Sequence, residues 1–361
     1  MIAKADIRNE VARLLGFFEA AGAQAVEADI LQPAKVLLDL YGEDIRARAY
    51  VTSDPLCGEQ MLRPDFTVPV VQMHMEHGAE PARYTYAGEV FRQQEENIER
   101  PREFMQVGYE VFDRENPAAA DAEVFSLFQK ELSPLGLRAA TGDMGILMAA
   151  VRGLSTTERR KAALLRHIWR PKRFRALLER FGGKIKPPAT RIAMLKAVDA
   201  MDGVGPFIGL RSRQEIEARI KALKEDAEMP PISEIEAAIL DDILNLREKA
   251  PIVLENLRDI SVDLPAITPA VEMMDARLQV MDARGVDVDA LDFEGSYGRT
   301  TLEYYDGFVF GFYAETRPDL PAVASGGRYD ALTRVLGQGR SIPAVGGVIR
   351  PELLLELGGQ A

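Results

Sequence analysis

The stretch from Arg83 to Asp113, RYTYAGEVFRQQEENIERPREFMQVGYEVFD, constrains the fold more than any other part of the chain. Two runs, Arg83–Phe91 and Phe104–Phe112, alternate with a period of two, the pattern of half-buried strands, and the charged loop between them joins an antiparallel pair. Such a loop is of the type that grips a phosphate or carboxylate. On the second strand Phe104, Gln106, Gly108, Glu110 and Phe112 share one face, because successive side chains point to opposite sides. Gln106 and Glu110 then stand about 13 Å apart at ~3.3 Å per residue, with side-chain-free Gly108 between them. An amide and a carboxylate flanking a bare patch would make the floor of a site for a small polar ligand.

A chain of 361 residues is long for one compact domain, and its 47% hydrophobic residues can bury a large core. No apolar run approaches the ~18 residues of a membrane-spanning helix. The start, MIAKADIRNEVARLL, lacks the continuous apolar segment of a secretory signal. The single cysteine, Cys57, excludes an internal disulfide framework and Cys-rich zinc sites, and it suits a reducing cytosol, so a cytoplasmic location is expected. His74 and His77, at helical spacing, make an incomplete metal site, and neither a metal nor a cofactor is expected. A net charge of −12 argues against a protein whose main task is gripping a nucleic-acid backbone. One stretch runs against that balance: Glu158–Lys186 holds eleven Lys/Arg and two Glu. It reads either as the solvated face of helices around Leu164–Trp169 and Phe174–Phe181, or as a dock for a negatively charged partner or ligand.

Along the chain, residues 4–21 carry Ile7, Val11, Leu14, Leu15 and Phe18 on one helical face, with Gly22 placed to end the helix. A strand through Ala25–Ile30 follows, limited by Pro33. A further helix is expected from Asp121 to Leu132. From about Gly153 to Leu264 strand signals nearly vanish and helical periodicity takes over, with a capping box at Ser233 and Glu236. Strands return near Val286–Phe293 and around Leu302–Tyr313, where Asp306-Gly307 predicts a tight hairpin turn. The expected architecture is α+β: an antiparallel sheet flanked by helices, built from 1–152 and 265–361, with a helical insertion over 153–264.

The segment GEVFRQQEENIERPREFMQVGYEVF resembles motif 2 of class II aminoacyl-tRNA synthetases in its histidyl-tRNA synthetase form. Residues 4–33 resemble motif 1, which builds the dimer interface of that class. Arg63-Pro64-Asp65-Phe66-Thr67 is similar to the R-P-E-G-T segment of histidyl-tRNA synthetases, and Leu302–Phe310 to their L-D-Y-Y-x-x-x-V-F signature. Gly326–Asp330, GGRYD, matches a second signature, and Pro343–Glu352 occupies the place of motif 3. The resemblance implies a histidine pocket. Asp65 would pair with the α-amino group with Thr67 nearby, and Arg92 would meet the carboxylate. Gln106 and Glu110 would surround the amine and imidazole, and Tyr305 and Tyr329 would wall the ring with Tyr304 beside them.

The catalytic positions depart from the synthetase pattern. Thr300 stands where the synthetases carry an arginine before the tyrosine pair, and Arg299 lies one position earlier, a shift that turns a strand side chain to the other face. Motif 3 ends in Glu352-Leu353 instead of Glu-Arg, preceded by Arg350-Pro351. Fixed cations stabilise a phosphoryl-type transition state, so their absence points away from adenylation. Synthetases also continue past motif 3 into an anticodon-binding domain, and nine residues follow Glu352 here. The chain therefore resembles the regulatory subunit of ATP phosphoribosyltransferase. That resemblance implies a non-catalytic partner of the short-form catalytic subunit, needed for its activity and for feedback inhibition by histidine in the first step of histidine biosynthesis. It implies self-association as a dimer and binding of neither tRNA nor membrane. The competing readings are a synthetase-like enzyme that retains histidine adenylation or aminoacyl transfer, and a scaffold with a vestigial pocket.

Overall fold

The computed structural model describes residues 2–41, 48–94, 100–202, 208–299 and 304–358. Its strands are β1 (Gln24–Ala25), β2 (Leu31–Pro33), β3 (Val51–Asp54), β4 (Gly58–Leu62), β5 (Ala82–Phe91) and β6 (Glu103–Phe112). They continue with β7 (Arg138–Asp143), β8 (Arg247–Lys249), β9 (Asp292–Glu294), β10 (Phe308–Tyr313), β11 (Ala324–Arg328) and β12 (Ala344–Ile349). Among the described residues, nine strands form one sheet in the order β1-β5-β6-β12-β11-β10-β7-β9-β8, and β2-β4-β3 form a small second sheet. Every pair from β5 across to β7 is antiparallel, and only the flanking pairs β1–β5 and β7–β9 are parallel. The architecture is the expected α+β one.

The β5–β6 hairpin forms over its full predicted length, with Tyr84 opposite Glu110, Tyr86 opposite Gly108 and Gly88 opposite Gln106. One face of this pair packs on helices. Phe18, from the helix Lys4–Ala20, stacks on Tyr109 with ring centres 5.2 Å apart and meets Phe128 of the helix Pro117–Leu132 at 5.5 Å. The first helix buries Val11, Leu14 and Phe18, one stripe at helical spacing, and Gly22 ends it at φ 95°, where a side chain would be strained. The helix expected from Asp121 begins earlier, at Pro117: the Asn116 side chain accepts the Ala119 N–H at 3.0 Å, and proline fits the first turn.

Three local expectations are corrected. Of the predicted Ala25–Ile30 strand only Ala25 lies in the ladder with β5, joined there by Gln24 before it. Beyond it Arg63 takes over the backbone, its side chain donating to the Ala28 carbonyl and its own N–H to the Ile30 carbonyl. Val286 donates its N–H back to Met281 at the end of the helix Thr268–Ala283, so the strand there shrinks to Asp292–Glu294. Asp306-Gly307 does not form the predicted hairpin. Leu302 and Glu303 lie outside the described residues; among those described, Gly307 has no positive φ, Tyr304 and Tyr305 lie outside any strand, and β10 pairs with β7 and β11 instead. The Asp306 carboxylate accepts the N–H groups of Asp330 (2.8 Å) and Ala331 (2.7 Å) at the start of the helix Asp330–Leu336, which ties the segment across the fold.

In the helical stretch the Ser233–Glu236 capping box forms as expected, and a second one, Ser212–Glu215, starts the helix Arg213–Glu228. Arg247–Lys249, late in that stretch, forms β8 at the edge of the large sheet.

Candidate ligand-binding site

Glu110 is the hub of the site. It sits mid-strand on β6, 1% exposed, and its carboxylate accepts three hydroxyls: Tyr86 at 2.7 Å, Thr67 at 3.2 Å and Tyr329 at 2.6 Å. Tyr304 extends the set by donating to the Thr67 hydroxyl at 3.4 Å. Its ring meets those of Tyr305 at 4.8 Å and Tyr329 at 6.1 Å, both edge to face. Thr67 opens the helix Thr67–His77, and the Asp65 carboxylate just before it accepts the Val68 N–H at 3.4 Å. The negative charges of Asp65 and Glu110 interact, as do Glu110 and Tyr305. Asp65, Thr67, Glu110, Tyr304, Tyr305 and Tyr329 are thus gathered from four separate parts of the chain.

Glycines make this convergence possible. Gly346 of β12 lies opposite Glu110, and Gly327 of β11 lies opposite Gly346. A Cβ on Gly346 would fall 1.4 Å from the Glu110 carboxylate, and one on Gly327 would fall 2.8 Å from the Tyr305 ring. The sheet is bare beneath both functional side chains, so they lie flat over it. The glycines of the GGRYD segment are therefore close-packing residues.

The bare patch expected at Gly108 is not open. A Cβ there would lie 2.1 Å from the Tyr86 ring, because Tyr86, directly opposite on β5, leans across it. The same ring stacks on Phe66 at 4.5 Å, and the Arg63 guanidinium lies over the Phe66 ring at 4.0 Å. Tyr86 is one of two site residues that the sequence does not reveal. Drawing the hairpin register, which sets Tyr86 against Gly108, would have found it. The patch separates Glu110 from Gln106, which makes no hydrogen bond to the rest of the set. The Gln106 Oε1 is buried with no hydrogen-bond partner, and such a group costs about 1–3 kcal/mol unless something donates to it.

Arg92 leaves β5 beside this face. Its Nε donates to the Pro64 carbonyl at 2.7 Å and its guanidinium lies 5.5 Å over the Phe104 ring. Arg350 covers the same ring at 4.9 Å. Burial, then the neighbouring charges of Arg92 and Arg100, push the Arg350 guanidinium down to about 10. Neither Arg92 nor Arg350 forms an ion pair with a described carboxylate, so a positive region borders the site. Arg350, like Tyr86, was not foreseen as part of it.

At the departed catalytic positions, Thr300 lies outside the described residues. Arg299 is buried, donates to the Ile168 carbonyl at 2.8 Å and stacks on Phe174 at 4.9 Å, which commits it to the helical stretch. Leu353 packs against the core, and Glu352 accepts the Met105 N–H at 2.8 Å. His74 is buried against Phe112 with its Nδ1 3.0 Å from the Tyr84 hydroxyl, whereas His77 is exposed, so the two do not share an environment.

Burial pushes the Glu110 carboxyl up to about 7, against the pull of its three hydroxyl donors. Tyr86 and Tyr329, buried beside that charge, are pushed well above the ordinary phenol value and remain donors. An acid raised on folding binds more protons in the native than in the unfolded chain between its two pKa values. Its contribution to stability is complete below the unfolded value of 4.5 and is lost as pH rises through about 7. Thermal melts from about pH 5 to about 8.5 should therefore show the wild type losing stability against Glu110→Gln as pH rises. Asp306, also buried and raised to about 7, gives a parallel slope that the substitution leaves in place. Two proteins whose melting temperatures keep a constant difference over this range would show that Glu110 does not titrate there.

Comparisons with known proteins identify the fold and the family. The profile of the family described as histidyl-tRNA synthetase matches residues 3–354. A structure of an ATP phosphoribosyltransferase regulatory subunit/histidyl-tRNA synthetase from Bacillus halodurans superposes with a TM-score of 0.68 at 21% identity, covering 98% of this chain and 79% of that one. The histidyl-tRNA synthetase of Nostoc sp. PCC 7120 gives a TM-score of 0.62 at 18% identity, covering 98% of this chain and 71% of that one. These likenesses define the class: a histidyl-tRNA synthetase-like fold of class II. Among curated relatives, the ATP phosphoribosyltransferase regulatory subunits of Allorhizobium ampelinum and Agrobacterium fabrum are each 31% identical. The first alignment covers 92% of this chain and 93% of the relative, the second 94% of both. The chain belongs to the family of ATP phosphoribosyltransferase regulatory subunits. Among the described residues no helix is long and apolar enough to cross a membrane.

Proposed function

We propose that this chain acts as a non-catalytic cytoplasmic subunit that activates a short-form ATP phosphoribosyltransferase catalytic subunit and relays feedback inhibition by histidine. The observation that carries the reading is the polar demand of the site: a buried, partnerless Gln106 Oε1 and a buried Glu110 carboxylate ringed by hydroxyl donors, on one strand face. Histidine offers what they lack, namely N–H donors and a cation. Asp65 and Glu110 suit its amine and imidazole, Arg92 its carboxylate, and the Tyr304–Tyr305–Tyr329 cluster the flat ring. Residues 153–264 serve as a helical insertion on the synthetase-like core.

Self-association through residues 4–33 belongs to this reading. The apolar stripe of the helix Lys4–Ala20 is used against the chain's own sheet, so the exposed Ile30 and Leu31 are what remains for a second copy. Two-fold homodimers are the commonest closed assembly.

Mixing the chain with a short-form catalytic subunit and assaying phosphoribosyl transfer tests the function. Activity should appear only with both chains and should fall as histidine is added. Activity unchanged by this chain, or a complex indifferent to histidine, would overturn the reading.

The synthetase-like alternative has Arg92 in its favour and predicts histidine-dependent ATP–pyrophosphate exchange. We expect no exchange above background, because Arg299 is held by Ile168 and Phe174, and Leu353 takes the place of the motif 3 arginine. Exchange that vanishes on Arg92→Gln would favour the enzyme instead.

A further inference from the structure

We propose that a cavity in the helical stretch, bordered by Arg180, Lys186 and Arg191, binds a small ligand bearing a phosphate group. The cavity, about 280 Å³, lies between the end of the helix Pro171–Phe181, the segment leading into the helix Ala189–Lys196, and the last turns of the helix Arg213–Glu228. Four cationic side chains line it, Arg160, Arg180, Lys186 and Arg191, against one carboxylate, Asp226.

That carboxylate is already engaged. Arg160 is buried, and its Nε donates to Asp226 Oδ1 at 2.6 Å while its two terminal nitrogens donate to the Asp226 and Pro230 carbonyls, each at 2.7 Å. The pair is internally neutral. Arg180, Lys186 and Arg191 form no ion pair with any described residue, so the cavity carries a surplus of positive charge inside a chain whose net charge is −12. Burial, then the like charge of Arg180, depress the Arg191 guanidinium against the opposing pull of Asp226.

Solvated helix faces account for other members of the basic stretch, such as Lys172 and Arg173, which are exposed on one side of their helix. The cavity group differs in that Arg180, Lys186 and Arg191, from separate elements, line one partly open cavity, with Arg180 and Arg191 half-buried and Lys186 exposed at its rim. The helix Ala189–Lys196 also begins at this rim with no side chain capping its first turn, which adds the positive end of its dipole. Two guanidinium forks and an ammonium suit the oxygens of a phosphate. Phe181, Leu195 and Leu223 on the wall suit a small organic body, and the volume lies just below the ~300–1,000 Å³ of drug-sized ligand sites, too small for a polymer.

Calorimetric titration of the full chain with inorganic phosphate and with pyrophosphate at low salt tests the proposal. We expect saturable binding at one site, with pyrophosphate the tighter, weakened at least about tenfold by Arg191→Gln and by Arg180→Gln, since each removes a charge-assisted bond. Arg173→Gln should leave it unchanged. Circular dichroism of each variant checks folding, and if one fails to fold the other still decides. Absence of saturable binding, or an equal loss with Arg173→Gln, would overturn the site. Loss on Arg92→Gln with Arg191→Gln unaffected would place the anion in the synthetase-like pocket and overturn it as well.

Discussion

Replacing Arg328 with alanine should lower folding stability by about 3–5 kcal/mol, the cost of stranding a buried carboxylate. Arg328 is 6% exposed at the end of β11. Its Nε and Nη2 reach one oxygen of Asp121 at 3.0 and 2.7 Å, its Nη1 reaches Asp330 at 3.0 Å, and Nη2 also donates to the Pro117 carbonyl at 2.8 Å. The other oxygen of Asp121 meets Arg277 at 3.2 Å, and Arg277 in turn holds Asp143 at 2.8 Å. Asp121 is fully buried, so the alanine variant leaves it with Arg277 alone. Lysine should recover only part of the loss, because one ammonium cannot span Asp121, Asp330 and the Pro117 carbonyl together. Urea denaturation of the three proteins measures the effect, and a change below about 1 kcal/mol for alanine would show that water replaces the guanidinium. The consequence for the site is direct. Tyr329 follows Arg328 in the chain, and Asp330 accepts the Ala344 N–H at 2.9 Å, so the network sets the position of the Tyr329 hydroxyl over Glu110.

Features read from local alternation or capping were legible in the sequence. The β5–β6 hairpin needed only period-two patterning, and the helix Glu234–Asn245 only its Ser233–Glu236 box. What misled was chemistry whose partner is distant. Asp306-Gly307 has turn composition, yet Asp306 accepts backbone N–H groups at Asp330 and Ala331, and Gly307 is small because a Cβ would fall 2.9 Å from the Arg328 side chain. The same limit applies to Ala25–Ile30, whose backbone is claimed by Arg63.

Within the site, five of the other seven candidate residues from the motif resemblance lie around Glu110, whereas the period-two pattern described only a face of a single strand. Tyr86 entered from the neighbouring strand and Arg350 from the far end of β12, and neither lies near Gly108 or Phe104 in sequence. The glycine floor is a property of register: Gly327, Gly346 and Glu110 lie side by side only once β11, β12 and β6 are paired. No single segment carries that information.

Exchanging the Glu110 carboxylate for an amide should weaken histidine inhibition of the assembled complex by roughly fivefold to over a hundredfold while leaving its uninhibited activity largely intact, from the ~1–3 kcal/mol of a charge-assisted bond. Glu110→Gln keeps the shape that fits over Gly346 and removes the charge that a protonated amine or imidazole would meet. Tyr329→Phe is the companion change. It deletes the hydroxyl that donates to Glu110 at 2.6 Å and keeps the ring against Tyr304 and Phe112. The two should not add, since both act on one carboxylate, and the double variant should resemble Glu110→Gln alone. An effector inhibits only by binding one state of the assembly more tightly than another, so a weaker hold on histidine should move the inhibition curve to higher concentration and leave the basal rate in place. Inhibition curves for the single and double variants, taken after light scattering has shown normal assembly, decide the matter. Curves that overlay the wild type would mean that the histidine signal is read at another surface of the complex.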